Sequence, residues 1–263
     1  MFVDGRAGGR QRAASDFRSD ANKVADITLA FWVIKICATT LGETGGDLLS
    51  MTMSVGYALS SLILIGFFAL TLVLQLHARS FHPSLYWAVI LSTSTAGTTI
   101  SDFADRTLGW GYAVGSTLIA TLLVAILIVW RLALGSLRVD HIADRRVELF
   151  YWLAVLASNT LGTALGDFLA DSSGLGYGWT NLLISSGIAL VAIAYFGTRI
   201  SRTALFWIAF VLTRPFGATM GDLLTKPVTK GGLDLGTIGA SLVLFVAMVL
   251  FIVLNGKLRA RQI

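Results

Sequence analysis

The stretch that decides the fold is residues 151–169, YWLAVLASNTLGTALGDFL. It contains an aromatic–Trp pair, a Gly ten residues after the Trp, a second small residue four positions later, and then an Asp. The residues between them are apolar or carry small hydroxyl and amide groups, and no Pro interrupts them. An uninterrupted run of this length predicts one long helix with a single acid near its end.

The same pattern, W-x9-G-x3-[GS]-D-[LF], occurs four times in the chain without gaps. The successive Trp residues are 55, 65 and 55 positions apart, so two units together repeat after 120 residues. Such self-similarity predicts a repeat architecture, here a four-helix half that is duplicated. The other copies are FWVIKICATTLGETGGDLL from Phe31, YWAVILSTSTAGTTISDFA from Tyr86 and FWIAFVLTRPFGATMGDLL from Phe206.

The composition excludes a soluble globular, disordered or fibrous protein. Of the 263 residues, 55% are apolar and only 13% are charged, and the mean hydropathy is +0.76. A soluble domain carries about 25% charged residues. The one cysteine, Cys37, excludes a disulfide framework and any thiolate site that needs two cysteines. The chain is therefore predicted to be a polytopic membrane protein.

Eight apolar stretches predict an all-α fold with eight transmembrane helices in four parallel two-helix repeats, because each is near the ~20 residues that cross a bilayer. Residues 1–24 are interpreted as a cytoplasmic polar tail, 25–137 as the first four-helix half, 138–147 as a cytoplasmic linker, and 148–263 as the second half with a short tail. The predicted spans are 26–46, 55–76, 84–101, 111–130, 148–166, 176–197, 203–221 and 235–254.

The distribution of Lys and Arg predicts the orientation. Fifteen of the 20 lie on the side of the N-terminal tail, three (Arg106, Lys226 and Lys230) lie on the other side, and two lie within apolar stretches. Because cytoplasmic loops are enriched in these residues, both termini are expected in the cytoplasm. The basic pI of about 9.6 then reflects orientation, and no nucleic-acid partner is expected.

Two features of each motif are interpreted as structural. The aromatic–Trp pairs are expected to form an aromatic belt where the motif helices enter the membrane. The small residues are expected to let these helices pack closely. They include Gly42, Gly46, Gly97, Gly162, Gly166, Gly217 and Gly221.

The motif acids form the candidate functional site. Each follows its Trp by fifteen residues, which places it about 22 Å along a helix, so all four are expected at one depth. Four and eight residues before each acid, on the same helix face, the chain has further polar groups, among them Glu43, Thr39 and Asn159. The motif acids are Asp47, Asp102, Asp167 and Asp222.

An ionised side chain in mid-bilayer costs roughly 2.5–3.5 kcal/mol on insertion scales. Lys35 and Arg214 can compensate two of the five acids, which leaves three to be hydrated, protonated or neutralised by a bound cation. Arg214 is expected either to lock two Asp residues or to occupy the site when no ion is bound. Lys35, three residues after Trp32, is expected to snorkel to the interface.

The available ligands favour a hard cation. All three His fall in predicted loops, so oxygen groups remain, and these suit Mg²⁺, Mn²⁺ or Ca²⁺, as well as Na⁺ or protons. The four motif Asp residues are the predicted metal ligands or proton carriers, with Glu43, Thr39 and Asn159 as auxiliary groups. No resident cofactor is expected beyond a bound divalent cation.

The repeated aromatic-Trp and T-L-G-x-x-x-G-D pattern resembles a family of small bacterial inner-membrane proteins described as hypothetical or membrane-anchored. The resemblance covers about residues 26–256. The G-D motifs also look like those of manganese and calcium/proton exporters, although those families pair acids across two repeats and this chain has four.

Three hypotheses follow. The first is a gradient-driven transporter or channel for a hard cation, foremost Mn²⁺, because the chain lacks an ATP-binding G-x-x-x-x-G-K-[ST] loop. The second is a membrane scaffold or partner-binding protein whose Asp residues brace the helices. The third and weakest is an intramembrane aspartyl enzyme, so the chain is predicted not to be an enzyme. Membrane lipid and a small cation are the expected partners, and a homo-oligomer is left open.

Overall fold

The computed structural model describes residues 23–139, 142 and 144–260. Within these residues the chain forms eight long helices and no strand, which confirms the all-α class and the four helix pairs. Most of the predicted polar tail lies outside the described residues. The helices are α1 (Leu29–Asp47), α2 (Tyr57–His77), α3 (Pro83–Asp102), α4 (Tyr112–Leu134), α5 (Arg145–Asp167), α6 (Gly176–Gly197), α7 (Arg202–Thr225) and α8 (Thr237–Ala260).

The four motif helices α1, α3, α5 and α7 form a closed ring. Each packs against the next motif helix in the chain, and α7 packs back against α1. Each of the outer helices α2, α4, α6 and α8 packs on the motif helix of the following repeat, and α8 on α1. The repeats therefore follow one another around a circle, and each supplies one inner and one outer helix.

Glycines set the spacing within the ring. A Cβ atom added to Gly42 would lie 2.3 Å from the Cβ atom of Ser94 on the next motif helix. The equivalent atom on Gly162 would lie 2.2 Å from Cγ of Arg214, and on Gly217 it would lie 2.5 Å from Oγ1 of Thr39. The motif helices thus approach with no side chain between them at these points.

The outer helices present apolar side chains to the surroundings, for example Leu62, Leu190 and Val243, each more than 60% exposed. Among the described residues, six helical segments are long and apolar enough to cross a membrane. They are α2, α4, α6, α7, residues 237–257 of α8, and α5 with the turn that follows it. These helices are consistent with a multi-pass membrane protein. The motif helices α1 and α3 are not among the six.

The motif helices end differently in the fourth repeat. A π-helical turn follows α1, α3 and α5 directly after the motif Asp, at Leu48–Thr52, Phe103–Thr107 and Phe168–Ser172. Helix α7 instead continues to Thr225 and is followed by Lys226, Pro227 and a short 3₁₀ helix, Val228–Lys230. This end of the ring, where the motif acids lie, is called the outer end below, and the opposite end the inner end.

The aromatic–Trp pairs fill the inner end of the ring. The prediction that they form an aromatic belt where the helices enter the membrane is wrong. Trp87, Trp152 and Trp207 are buried, and Trp32 is half-buried. The first aromatic residue of each repeat contacts the Trp of the next, so the contacts run around the whole ring. The centroid distances are 5.6 Å for Phe31–Trp87, 5.5 Å for Tyr86–Trp152, 6.4 Å for Tyr151–Trp207 and 5.9 Å for Phe206–Trp32. These residues therefore pack on one another and do not anchor the helices in lipid.

Candidate functional site

The interior of the ring contains three layers of side chains, one helical turn apart, and all twelve residues are buried. The acid layer at the outer end consists of the four motif Asp residues. The middle layer consists of Glu43, Thr98, Thr163 and Ala218. The third, called the Arg214 layer, consists of Thr39, Ser94, Asn159 and Arg214.

Lys226 joins two acids of the acid layer. Its Nζ atom lies 2.5 Å from Oδ2 of Asp47 and 3.1 Å from Oδ1 of Asp222. Burial lowers the pKa of this amine, but Coulombic attraction to Asp222 and Asp47 raises it by more, so the pKa lies well above its ordinary value. The Lys226 side chain is therefore positively charged, and it links the end of α7 to α1.

Arg106 joins the other two acids in the same way. Its Nε atom lies 3.1 Å from Oδ1 of Asp102, and one terminal nitrogen lies 3.0 Å from Oδ2 of Asp167. This pair links α3 to α5. The acid layer is thus divided into two halves, each with two Asp residues of neighbouring repeats and one base.

Neither base was predicted as part of the site, because Arg106 and Lys226 lie just beyond the predicted spans, in segments expected to be loops. The signal was present in their spacing: each follows a motif Asp by four residues, so the two side chains lie on one helix face. Repeats one and three have Met51 and Asp171 at that position. The bases therefore alternate around the ring, and each reaches the Asp of the next repeat.

Arg214 comes from two turns further in, and its guanidinium group reaches the residues of the middle layer at the centre of the ring. One terminal nitrogen donates to Oε2 of Glu43 at 3.1 Å. The other donates to Oγ1 of Thr98 at 2.5 Å and to Oγ1 of Thr163 at 2.8 Å. A single guanidinium thus bonds to all three other motif helices.

These pairs correct the predicted surplus of acids. Of the two expectations for Arg214, the one in which it locks two Asp residues is not met, because it pairs with Glu43. Three acids were also expected to lack a base. Among the described residues, the five acids face three bases, Arg106, Arg214 and Lys226. The formal surplus is two carboxylates, and every motif Asp has a base within 3.1 Å.

Lys35 does not snorkel, and the prediction that it would is wrong. Its side chain is fully buried, and Nζ lies 4.1 Å from the centroid of the Phe210 ring. The cause is the enclosed inner end, where neighbouring repeats cover the face of α1 that carries Lys35. It therefore compensates none of the acids by direct contact.

The predicted ligands fall into separate groups. One carboxylate oxygen from each of Glu43, Asp47 and Asp222 lies within 4.8 Å of the others. Asp102 and Asp167 meet at Arg106 instead. Carboxylate oxygens at this separation suit a hard cation. The group of Glu43, Asp47 and Asp222 is called the three-acid cluster below.

Thr39 and Asn159 lie too far inward to join this cluster, about two helical turns from the acid layer. The Thr39 hydroxyl donates to backbone carbonyls, among them that of Thr213 on α7 at 3.2 Å. The Asn159 amide donates to Oγ1 of Thr93 at 2.8 Å. In this structure both residues bond neighbouring motif helices together.

The repeat family described as Repeat of Unknown Function (DUF347) matches the chain four times, at residues 30–81, 85–135, 150–201 and 205–258. Each match covers one motif helix and the outer helix that follows it. The four matches together cover most of the chain, so this protein belongs to the DUF347 repeat family. No curated protein and no solved structure matches the chain.

Proposed function

We propose that this chain is an integral membrane transporter that moves a hard cation, foremost a divalent ion such as Mn²⁺, along an ion gradient. The observation that supports the proposal best is the three-acid cluster, in which Glu43, Asp47 and Asp222 are buried with carboxylate oxygens within 4.8 Å of one another. Buried carboxylates inside a membrane bundle are functional by default, because each is expensive to hold there.

The proposal includes eight membrane spans, two more than hydropathy alone supports. Helices α1 and α3 have 19 and 20 residues, enough to cross about 30 Å. Their polar faces line the ring interior, so they can lie within the bilayer without exposing those groups to lipid. With the excess of Lys and Arg on one side, we place both termini in the cytoplasm of a bacterial inner membrane.

Lys226 occupies the three-acid cluster in a way that an incoming cation can reverse. Its ammonium group contacts two carboxylates of the three-acid cluster, so an arriving cation competes with it for the same oxygens. On the inner-end side of Lys226, the Glu43–Arg214 ion pair blocks the centre of the ring. A cation can then pass only if the layers open one after another, as they do in a carrier. Asp102 and Asp167 bind a guanidinium, which keeps its charge throughout.

The test is cation flux in proteoliposomes, measured for Mn²⁺, Mg²⁺, Ca²⁺ and protons. Asp47→Asn and Asp222→Asn should reduce flux of the transported ion at least tenfold, roughly the effect of losing even a supporting group of a metal site. Asp171→Asn is the matched control, because Asp171 is an exposed Asp on the same end of the ring. Native flux that these two variants leave unchanged would overturn the proposal.

The second candidate function is a membrane scaffold, favoured by the base within 3.1 Å of every motif Asp. In that case the native chain shows no flux for any of the four ions. Each Asp→Asn change then lowers the melting temperature, because it leaves Arg106 or Lys226 short of a partner.

A further inference from the structure

The Arg214 layer and the next helical turn toward the inner end contain buried hydrogen-bond donors that have no acceptor. Among the described residues, Nζ of Lys35, Nε of Arg214 and Oγ of Ser94 have no hydrogen-bond partner. All three side chains are fully buried. Buried polar groups in native proteins are nearly always bonded, so three such donors need an explanation.

These donors lie on facing helices of the ring, at adjacent turns. Lys35 contacts the ring of Phe210, which precedes Arg214 by one turn on α7. Ser94 precedes Thr98 by one turn on α3, and its carbonyl accepts from the same Arg214 nitrogen that bonds Thr98. The three groups therefore lie on two adjacent turns of the ring, on α1, α3 and α7.

Whenever Lys35 is protonated, the charge at this level is positive. Arg214 is the charged group that faces Lys35 from α7, and its partner Glu43 lies a further turn out. On α3 and α5 the ionisable groups nearest this level, Tyr86 and Tyr151, bond to each other at 2.6 Å. The buried acid Glu148, about one turn nearer the inner end on α5, is paired with Lys23. Helix α8, which also packs on α1, has ionisable residues only in its last turn.

The hydrogen-bond acceptors at this level are too few for the three free donors. The unpartnered acceptor in the layer is Oδ1 of Asn159, and one neutral oxygen cannot serve three donors or balance a charge. The face of the Phe210 ring recovers only part of what an ammonium group loses on leaving water. A ligand that accepts hydrogen bonds and carries negative charge would satisfy all of these groups.

We propose that Lys35, Arg214 and Ser94 bind a small monovalent anion, of the size of chloride, between the Arg214 layer and the aromatic residues of the inner end. The anion accepts from the three free donors and neutralises the Lys35 ammonium. The site is separate from the three-acid cluster, and the proposal does not depend on cation transport.

Thermal unfolding of the purified full-length chain tests this, with sodium chloride replaced stepwise by sodium gluconate at constant ionic strength. Chloride should raise the melting temperature of the native chain saturably, by a few degrees, because a ligand that binds only the folded state stabilises it. Lys35→Met should lose this dependence. Lys257→Met, which changes an exposed lysine, should keep it.

A second variant keeps the test valid if Lys35→Met does not fold. Ser94→Ala removes only the hydroxyl and leaves the Cβ atom that packs beside Gly42, so it should fold and need several-fold more chloride for the same shift. A melting temperature that does not depend on chloride would overturn the proposal. So would an equal chloride dependence in Lys35→Met and Lys257→Met.

Discussion

Single glycines determine how closely the motif helices approach, and Gly217 is the tightest point between α7 and α1. A Cβ atom at this residue would lie 2.6 Å from the Cβ atom of Thr39 and 2.8 Å from its carbonyl carbon. Neither atom can move without shifting the helix. The position therefore tolerates no side chain while α7 and α1 keep their present distance.

We expect Gly217→Ala to lower the free energy of unfolding by about 1–3 kcal/mol, the usual effect of overpacking. Gly66→Ala is the matched control, because Gly66 lies within α2 and an added Cβ atom there would meet nothing within 4 Å. That change should leave stability unchanged or improve it. Denaturation in detergent measures both, and an equal loss in the two variants would contradict the close packing at Gly217.

At the same scale, the sequence predicted some features of the site and not others. The regular spacing places the four motif acids at one level of the helices, and the structure has them in one buried layer. The partners of these acids could not be found by hydropathy, because a base just beyond an apolar stretch is assigned to a loop. Arg106 and Lys226 fold back over the last turn of their helices, and only the four-residue spacing indicates this.

At the scale of elements, the packing of α8 on α1 connects the last outer helix to the first repeat. The hydroxyl groups of Ser241 and Thr44 are 2.9 Å apart, although the residues are 197 positions apart in the chain. The sequence predicted the helices and their pairing into repeats. It did not predict that each outer helix packs on the following repeat, because equivalent repeats give no information about which one is the neighbour.

A disulfide tests this contact. In a Cys37→Ser background, the pair Thr44→Cys and Ser241→Cys should oxidise readily, because side chains in contact can reach disulfide geometry. The pair Ser116→Cys and Ser241→Cys is the control, since Ser116 lies on α4, which packs on α5 and not on α1. Intact-mass analysis and electrophoresis without reductant report the bond. An equal yield from the two pairs would argue against the packing of α8 on α1.

At the scale of the whole molecule, the two halves of the chain complete each other. Both links between the halves carry ion pairs: Arg106 of the first half binds Asp167 of the second, and Lys226 and Arg214 of the second bind Asp47 and Glu43 of the first. Because the acid-layer bases Arg106 and Lys226 belong to repeats two and four, the charge pattern of the acid layer repeats twice around the ring and not four times.

Fragments 1–140 and 141–263, produced together, should therefore assemble into one complex. Arg214→Met in the second fragment should weaken the assembly by roughly 3–5 kcal/mol, because it leaves Glu43 buried without its base. Arg202→Met, which changes an exposed arginine of the same helix, is the matched control. Co-purification on a tag carried by one fragment measures assembly, and equal recovery with the two variants would show that the Glu43–Arg214 pair does not hold the halves together.

Because the repeats are joined in one polypeptide, the centre of the ring can contain unlike residues. Four separate identical chains arranged in the same way would place four arginines, or four glutamates, around one point, and like charges at that distance would drive the subunits apart. In one polypeptide, Glu43 can stand in the first repeat only and Arg214 in the fourth only, and the two form an ion pair. The chemistry at the axis is thus available to a single long gene product and not to a symmetric tetramer of its parts.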